Sequence, residues 1–186
     1  MEPLPTEVEA HGVVLRTWAP QDAPELHHAV VASIEHLRPW MAWIGSEPLT
    51  VGDRIELIER WERERLDGGD VVFAIRQDGV VVGGAGLHRR LGEGGLEIGY
   101  WVHVDHVGRG VATAASRAAT DLAFTVDGID RVEIHHDVAN VASARVPEKL
   151  GFQRLADAPS PRPDAAPAET GTDGIWRTTR RAWLGG

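Results

Sequence analysis

Between His106 and Ala115 the chain reads HVGRGVATAA. Gly108 and Gly110 flank Arg109 and run straight into small, helix-compatible residues. Free N–H groups at the mouth of a helix, with the helix dipole behind them, favour an anion such as a phosphate. Glycine lets backbone come close to it. Two familiar phosphate motifs do not fit. A dinucleotide fingerprint would place a third glycine where Thr113 stands, and a triphosphate loop would need the G-K-[S/T] that is missing here. His103, His106 and the run His135-His136-Asp137 invite a metal reading, but no pair has the H-x-x-x-H spacing of a helical site, and no metal is expected. There is no cysteine. Disulfides, thiolate ligation and an acyl-cysteine intermediate are therefore excluded.

The elements that must position these residues follow from hydrophobic periodicity. The 186 residues suffice for one domain with its own core. Gly12–Trp18 reads as a strand. Pro20 opens a helix with Leu26, Val30 and Ile34 in one row, and Pro39 ends it. Thr50–Leu66 is the clearest helix: Thr50 and Asp53 have capping-box spacing, and Ile55, Ile58 and Trp61 form a stripe. Its charged residues, including the pairs Glu56/Arg60 and Glu59/Arg63, read as a solvated face. Asp78-Gly79 centres a hairpin within 71–90. A third strand follows at 96–104, where Gly99 suggests a bulge or a close approach by another group. A helix bearing Val111, Ala115, Ala118 and Leu122, a strand over 131–138, and a short helix over 140–152 closed by Gly151 complete the pattern. The proline-rich stretch 157–174 predicts a long mobile loop, and 175–183 a last strand. The order is mixed α/β in a single domain over 1–186, with three successive antiparallel strands at its centre.

Net charge is −9, which disfavours nucleic acid and suits a cationic or amine-bearing partner. The acidic start MEPLPTEVEA lacks the apolar run of a signal peptide, and nothing approaches the roughly 18 apolar residues of a membrane span. A cytoplasmic protein with no membrane partner is expected.

YWVHVDHVGRGVAT followed by NVASARVPEKLGF resembles the GNAT N-acetyltransferases, in particular the RimJ/RimL-like ribosomal-protein N-acetyltransferase branch. HLRPWMAWIG and IWRTTRRAW resemble that branch as well. The pairing of the glycine turn with N-x-x-S and K-L-G-F, in that order, is more specific than either part. One position departs: Val107 stands where the branch has Gln or Arg, and Arg109 is the nearby charge that could compensate.

The resemblance implies a GNAT-like α/β domain whose mostly antiparallel sheet is splayed at its central strands and flanked by helices. It implies acetyl-CoA as cosubstrate, its pyrophosphate cradled by Val107, Gly108, Arg109, Gly110, Val111, Ala112 and Thr113. The pantetheine arm would lie along Tyr100, Trp101 and Val102, with a backbone N–H near Val102 polarising the thioester carbonyl. Asn140 would bind the arm or cap a helix, and Lys149 would reach the phosphates. Ser143 is the expected proton donor to the leaving thiolate. An amine would attack directly in a ternary complex, with Glu97 as expected base and His135 and His88 as alternatives. Trp40, Trp43 and His135 are the expected acceptor contacts. Seven tryptophans, among them Trp40, Trp43, Trp176 and Trp183, exceed what one small core readily absorbs, which suggests a homodimer using the C-terminal strand. The alternative function is a GNAT-fold module that binds or senses CoA esters without turnover.

Overall fold

The computed structural model describes residues 3–162 and 164–185. The strands are β1 Glu7–Ala10, β2 Val13–Thr17, β3 Val71–Gln77, β4 Val80–His88, β5 Gly95–Val102, β6 Arg131–Asp137, β7 Gln153–Arg154, β8 Ala158–Pro159 and β9 Thr172–Thr179. The helices are α1 Ala23–Leu37, α2 Val51–Leu66, α3 Val111–Ala123, α4 Val141–Lys149 and α5 Arg180–Leu184. The strands form one sheet in the order β1-β2-β3-β4-β5-β6-β9-β7, with β8 also on β9. Every pairing is antiparallel except β5 with β6.

Alternation along the strands divides the core in two. On one face Val111, Ala115, Ala118, Ala119 and Leu122 of α3 pack on Leu15, Ile75, Leu87, Leu96 and Ile98. The alanines let this helix lie close to the sheet. On the other face α1 and α2 bring Leu26, Val30 and Ile58 against Trp18, Ala74 and Val81. The capping box of α2 is formed: the Asp53 N–H donates to Thr50 Oγ1 at 3.1 Å and the Thr50 N–H to Asp53 Oδ2 at 2.7 Å. Its charge run is not wholly solvated, however. Arg54 and Glu47 are each only 2% exposed and pair at 2.6 Å, fastening the segment before α2 to the helix.

Several expectations need correction. The hairpin turn at His11-Gly12, with φ of +54° and +77°, adds the strand β1. Its polar composition hid it. Gly99 makes no bulge: it pairs directly with Gly86, and the register shift lies instead at Ile75/Arg76. The final strand ends at Thr179. Thr179 Oγ1 accepts from the Ala182 N–H at 3.2 Å, and the chain turns into α5. That turn carries Trp183 inward, onto Phe152 at a ring separation of 5.8 Å, with its indole N–H on Asp121 at 2.7 Å. Trp176 donates to His136 Nε2 at 3.0 Å under the Arg154 guanidinium. Both tryptophans are thus half-buried and engaged within the chain.

The stretch 157–174 is tied down. The buried Asp137 carboxylate accepts from the N–H groups of Ala139, Thr170 and Gly171 and from the Thr170 hydroxyl. Arg162 bonds Asp173 at 2.7 Å, and the Ala168 N–H donates to Pro39 O at 3.0 Å. Pro163 lies outside the described residues. Among the described residues no helix is long and apolar enough to cross a membrane.

Burial alone would raise the Asp137 pKa, but the donors around it outweigh burial and hold it below the ordinary 3.8. Its contribution to stability is therefore present above the unfolded value and lost as pH falls through the lower folded one. Asp137→Asn should cost about 2 kcal/mol in urea unfolding at pH 7. The gap to the parent should narrow progressively below pH 3.8. A gap independent of pH would show that the carboxylate charge is not what ties the loop.

Candidate active site

The sheet opens where its one parallel pairing stops. β5 and β6 pair from Gly95↔Arg131 to Ile98↔Ile134 and no further. Beyond that, β5 stays with β4 to Val102 and β6 stays with β9 to Asp137, so the strands diverge. A cleft of about 380 Å³ lies at the split. It is lined by Tyr100, Trp101 and Val102 of β5, by Val107, Gly108, Gly110, Val111, Ala112 and Thr113 at the α3 mouth, and by Asn140, Ser143, Arg145 and Lys149 of the α4 region. His36, Trp40 and Met41 close the far wall.

The α3 mouth is built to receive an anion. Gly110 is its N-cap with φ +81°, a left-handed conformation that glycine adopts without penalty, and no side chain caps the helix. The first hydrogen bond in the turn runs from Ala114 N–H to Gly110 O, so the amides of Val111, Ala112 and Thr113 have no carbonyl partner within the helix. Gly108, at φ +74°, turns the preceding loop.

Asn140 caps α4: its Oδ1 accepts from the Ser143 N–H at 3.1 Å. This fixes the first turn and brings Ser143 Oγ to 2.8 Å from the Tyr100 hydroxyl on β5. The pair bridges the split. Burial pushes the Tyr100 pKa up to about 12, with the Ser143 bond acting in the opposite direction. The phenol stays protonated at neutral pH and can hold or pass on a proton through Ser143.

Other expected residues lie elsewhere. Arg109 is exposed and does not line the cleft. The Arg and Lys that line it are Arg145 and Lys149, one helical turn apart on α4. Sequence reading passed over Arg145, although its i, i+4 relation to Lys149 was the available signal. Trp40 lines the cleft, whereas Trp43 stands edge-on to Trp101 at 6.3 Å and is 40% exposed.

Glu97, His88 and His135 are on the opposite face of the sheet, the side of α1 and α2, next to the split. Glu97 lies 3.6 Å from Arg90 and 3.8 Å from His135 Nδ1. His135 Nε2 is 2.6 Å from Glu133, which Arg177 also engages. Burial opposes the charged form of His135, but Glu133, Glu97 and Asp173 outweigh it and raise its pKa. The neighbouring carboxylates stabilise its imidazolium form.

Residues 13–153 match the family model for the acetyltransferase (GNAT) domain. This chain belongs to the GNAT acetyltransferase family. The match covers the split, the glycine turn and α4. The chain is 30% identical over 146 residues to YdaF of Bacillus subtilis (strain 168), a protein named as a ribosomal N-acetyltransferase, covering 75% of this chain and 77% of that one. Mycobacterium smegmatis RimJ, solved with a CoA disulfide, superimposes with a TM-score of 0.78 at 24% identity over 100% of this chain and 98% of that one. The microcin C7 self-immunity acetyltransferase MccE, solved with acetyl-CoA and AMP, gives 0.81 at 18% over 90% and 92%. Those two likenesses show the fold.

Tyr100 is the sole tyrosine of this GNAT protein, so its ionisation is readable directly by ultraviolet absorbance. At pH 11, where an ordinary tyrosine of pKa about 10 is mostly ionised, only about a tenth of Tyr100 should be tyrosinate in the folded protein. Ser143→Ala removes the bond that opposes the shift and should not bring ionisation to lower pH. Titration of the parent near pH 10 would contradict the enclosed Tyr100–Ser143 pair.

Proposed function

We propose that the protein transfers an acetyl group from acetyl-CoA to a primary amine, with a protein N-terminus as the favoured acceptor. The observation that carries this reading is the cleft at the split, where uncapped helix amides, two cations and a bridging hydroxyl pair face one space. These groups fit the cosubstrate. The amides of Gly108 to Thr113, with Arg145 and Lys149, would hold its pyrophosphate. Inner-edge backbone groups of β5 at Tyr100 and Val102 have no β6 partner and would hold the amide-bearing arm. When bound, acetyl-CoA supplies an activated acetyl group and a thiolate leaving group. Ser143, backed by Tyr100, holds the proton for that leaving group, and Asn140 positions Ser143. Trp40 and Trp101 wall the acceptor side. The acidic net charge and the name of the YdaF relative both favour a cationic N-terminal acceptor in the cytoplasm, and the domain occupies 1–186.

The test is a panel of tripeptides and small amines incubated with acetyl-CoA, with release of CoA thiol as the readout. The protein has no thiol of its own to interfere. Turnover of at least one amine is expected. Binding of acetyl-CoA by calorimetry with no turnover would favour the CoA-sensing module instead.

Ser143→Ala should lower kcat and kcat/KM together by about 100-fold while leaving acetyl-CoA affinity near that of the parent. An unchanged kcat would make Ser143 structural. Arg145→Ala with Lys149→Ala should weaken acetyl-CoA binding about 10-fold or more and flatten its salt dependence, whereas Arg109→Ala should change it little. The reverse ranking would return the phosphate contact to Arg109.

A further inference from the structure

On the α1/α2 face, the strands beside the split carry a floor of glycines. Gly84, Gly86 and Gly99 share this face with Trp101, His88 and Glu97, because directly paired residues of β4 and β5 point the same way. Two aromatic rings lie on that floor. The Trp101 indole rests on Gly84, and a Cβ there would collide with it. The His88 imidazole rests on the next pair: a Cβ at Gly86 would meet its Nε2 at 2.7 Å, and one at Gly99 would meet it at 3.1 Å. Gly99 is the first residue of β5 beyond the pairing with β6. The His88 ring therefore sits at the lip of the split, one strand away from the Tyr100–Ser143 bridge and on the other side of the sheet.

The ring is held by its other nitrogen. Asp70 Oδ2 is 2.7 Å from His88 Nδ1, and Asp70 Oδ1 accepts from the Arg89 N–H at 2.7 Å. Burial would raise the Asp70 pKa, but these contacts and nearby Arg90 outweigh it and keep the carboxyl ionised. An ionised carboxylate only accepts, so Nδ1 carries a proton, and in the neutral ring Nε2 is the nitrogen that presents its lone pair. Nε2 has no hydrogen-bond partner among the described residues. Glu97, by contrast, is already faced by Arg90 and His135. The charged groups about the lip include Asp70, Arg90 and Glu97 and, on β6, Glu133 and His135.

We propose that His88, oriented by Asp70, is the catalytic base that takes the proton from the acceptor ammonium, with Glu97 beside it as the anion that draws that ammonium in. This rests on the acetyltransferase reading above. The step is a single proton transfer. The N–H bond of the ammonium breaks, the proton passes to Nε2, and a neutral amine faces an imidazolium whose charge Asp70 balances. The imidazolium then returns the proton to solvent. The Trp101 and His88 rings rest over Gly84 and Gly86, two residues apart along β4 or about 7 Å, and the amine would lie between them. A side chain at Gly86 or Gly99 would displace the base, which is why two glycines face each other across these strands.

The test uses the full chain with acetyl-CoA and tripeptides bearing a free N-terminal Ser, Ala, Thr or Met. His88→Gln should lower kcat/KM about 100-fold near pH 7 and abolish the acidic limb of the pH–rate profile, with acetyl-CoA affinity retained by calorimetry. Its deficit should shrink at high pH, where the peptide amine is already neutral. Independently of turnover, nitrogen NMR of the parent should show the His88 proton on Nδ1, and Asp70→Asn should scramble that tautomer. A His88→Gln profile matching the parent, with Glu97→Gln losing the acidic limb, would pass the role to Glu97 and overturn the proposal alone. A parent that binds acetyl-CoA but turns over no amine would overturn the acetyltransferase reading and this assignment with it.

Discussion

The structure depends on the short reach of one parallel pairing. β5 and β6 hold together for four residue pairs and then separate. Each remains bonded on its outer side, β5 to β4 and β6 to β9, so the sheet does not unravel. Separation leaves two inner strand edges whose backbone groups lack a neighbour. Buried backbone groups require partners, and such an edge is a ready surface for amide-bearing chains. The cleft is thus a consequence of sheet topology rather than a hollow carved by large side chains.

The parts around the split act because they sit at its ends and on its two faces. α3 directs its uncapped N-terminus at one end, and the packing of its alanines on the sheet holds it there. α4 starts at the other, and the Asn140 cap sets the angle at which Ser143 meets Tyr100. The two faces differ in chemistry. The α3/α4 face offers amides, Arg145 and Lys149, which suits phosphate. The α1/α2 face offers tryptophans, histidines and carboxylates, which suits an amine. The opening between the strands connects the two faces.

The periphery holds this arrangement in place. Asp137, at the end of β6, gathers the loop 157–174 back onto β9, and that loop reaches Pro39 beside the Trp40 wall. The buried Glu47–Arg54 pair anchors the segment carrying Trp43. A buried pair of this kind is weak support for stability in itself, but breaking it leaves an uncompensated charge, so it holds its neighbourhood to one conformation.

The sequence by itself determined most of the long elements and the glycine turn that opens α3. Gly108 and Gly110 before an alanine helix, Asn140 three residues before Ser143, and the Thr50–Asp53 box are local signals, because each depends on backbone conformation or bonds within a few residues. Tyr100 and Lys149 were legible through the family resemblance. The tertiary structure decided what depends on register between distant segments. Tyr100 meets Ser143 only because α4 folds back over β5, and Asp70 meets His88 only because β3 and β4 pair with Val71 opposite Leu87. Gly99 in isolation suggested a bulge or a close approach by another group, and the His88 ring above it decides for the close approach. Trp183 looked like strand and surface, but Thr179 caps a helix there and turns it inward. These contacts join residues far apart in the chain, and a local pattern carries no record of which strand lies beside which.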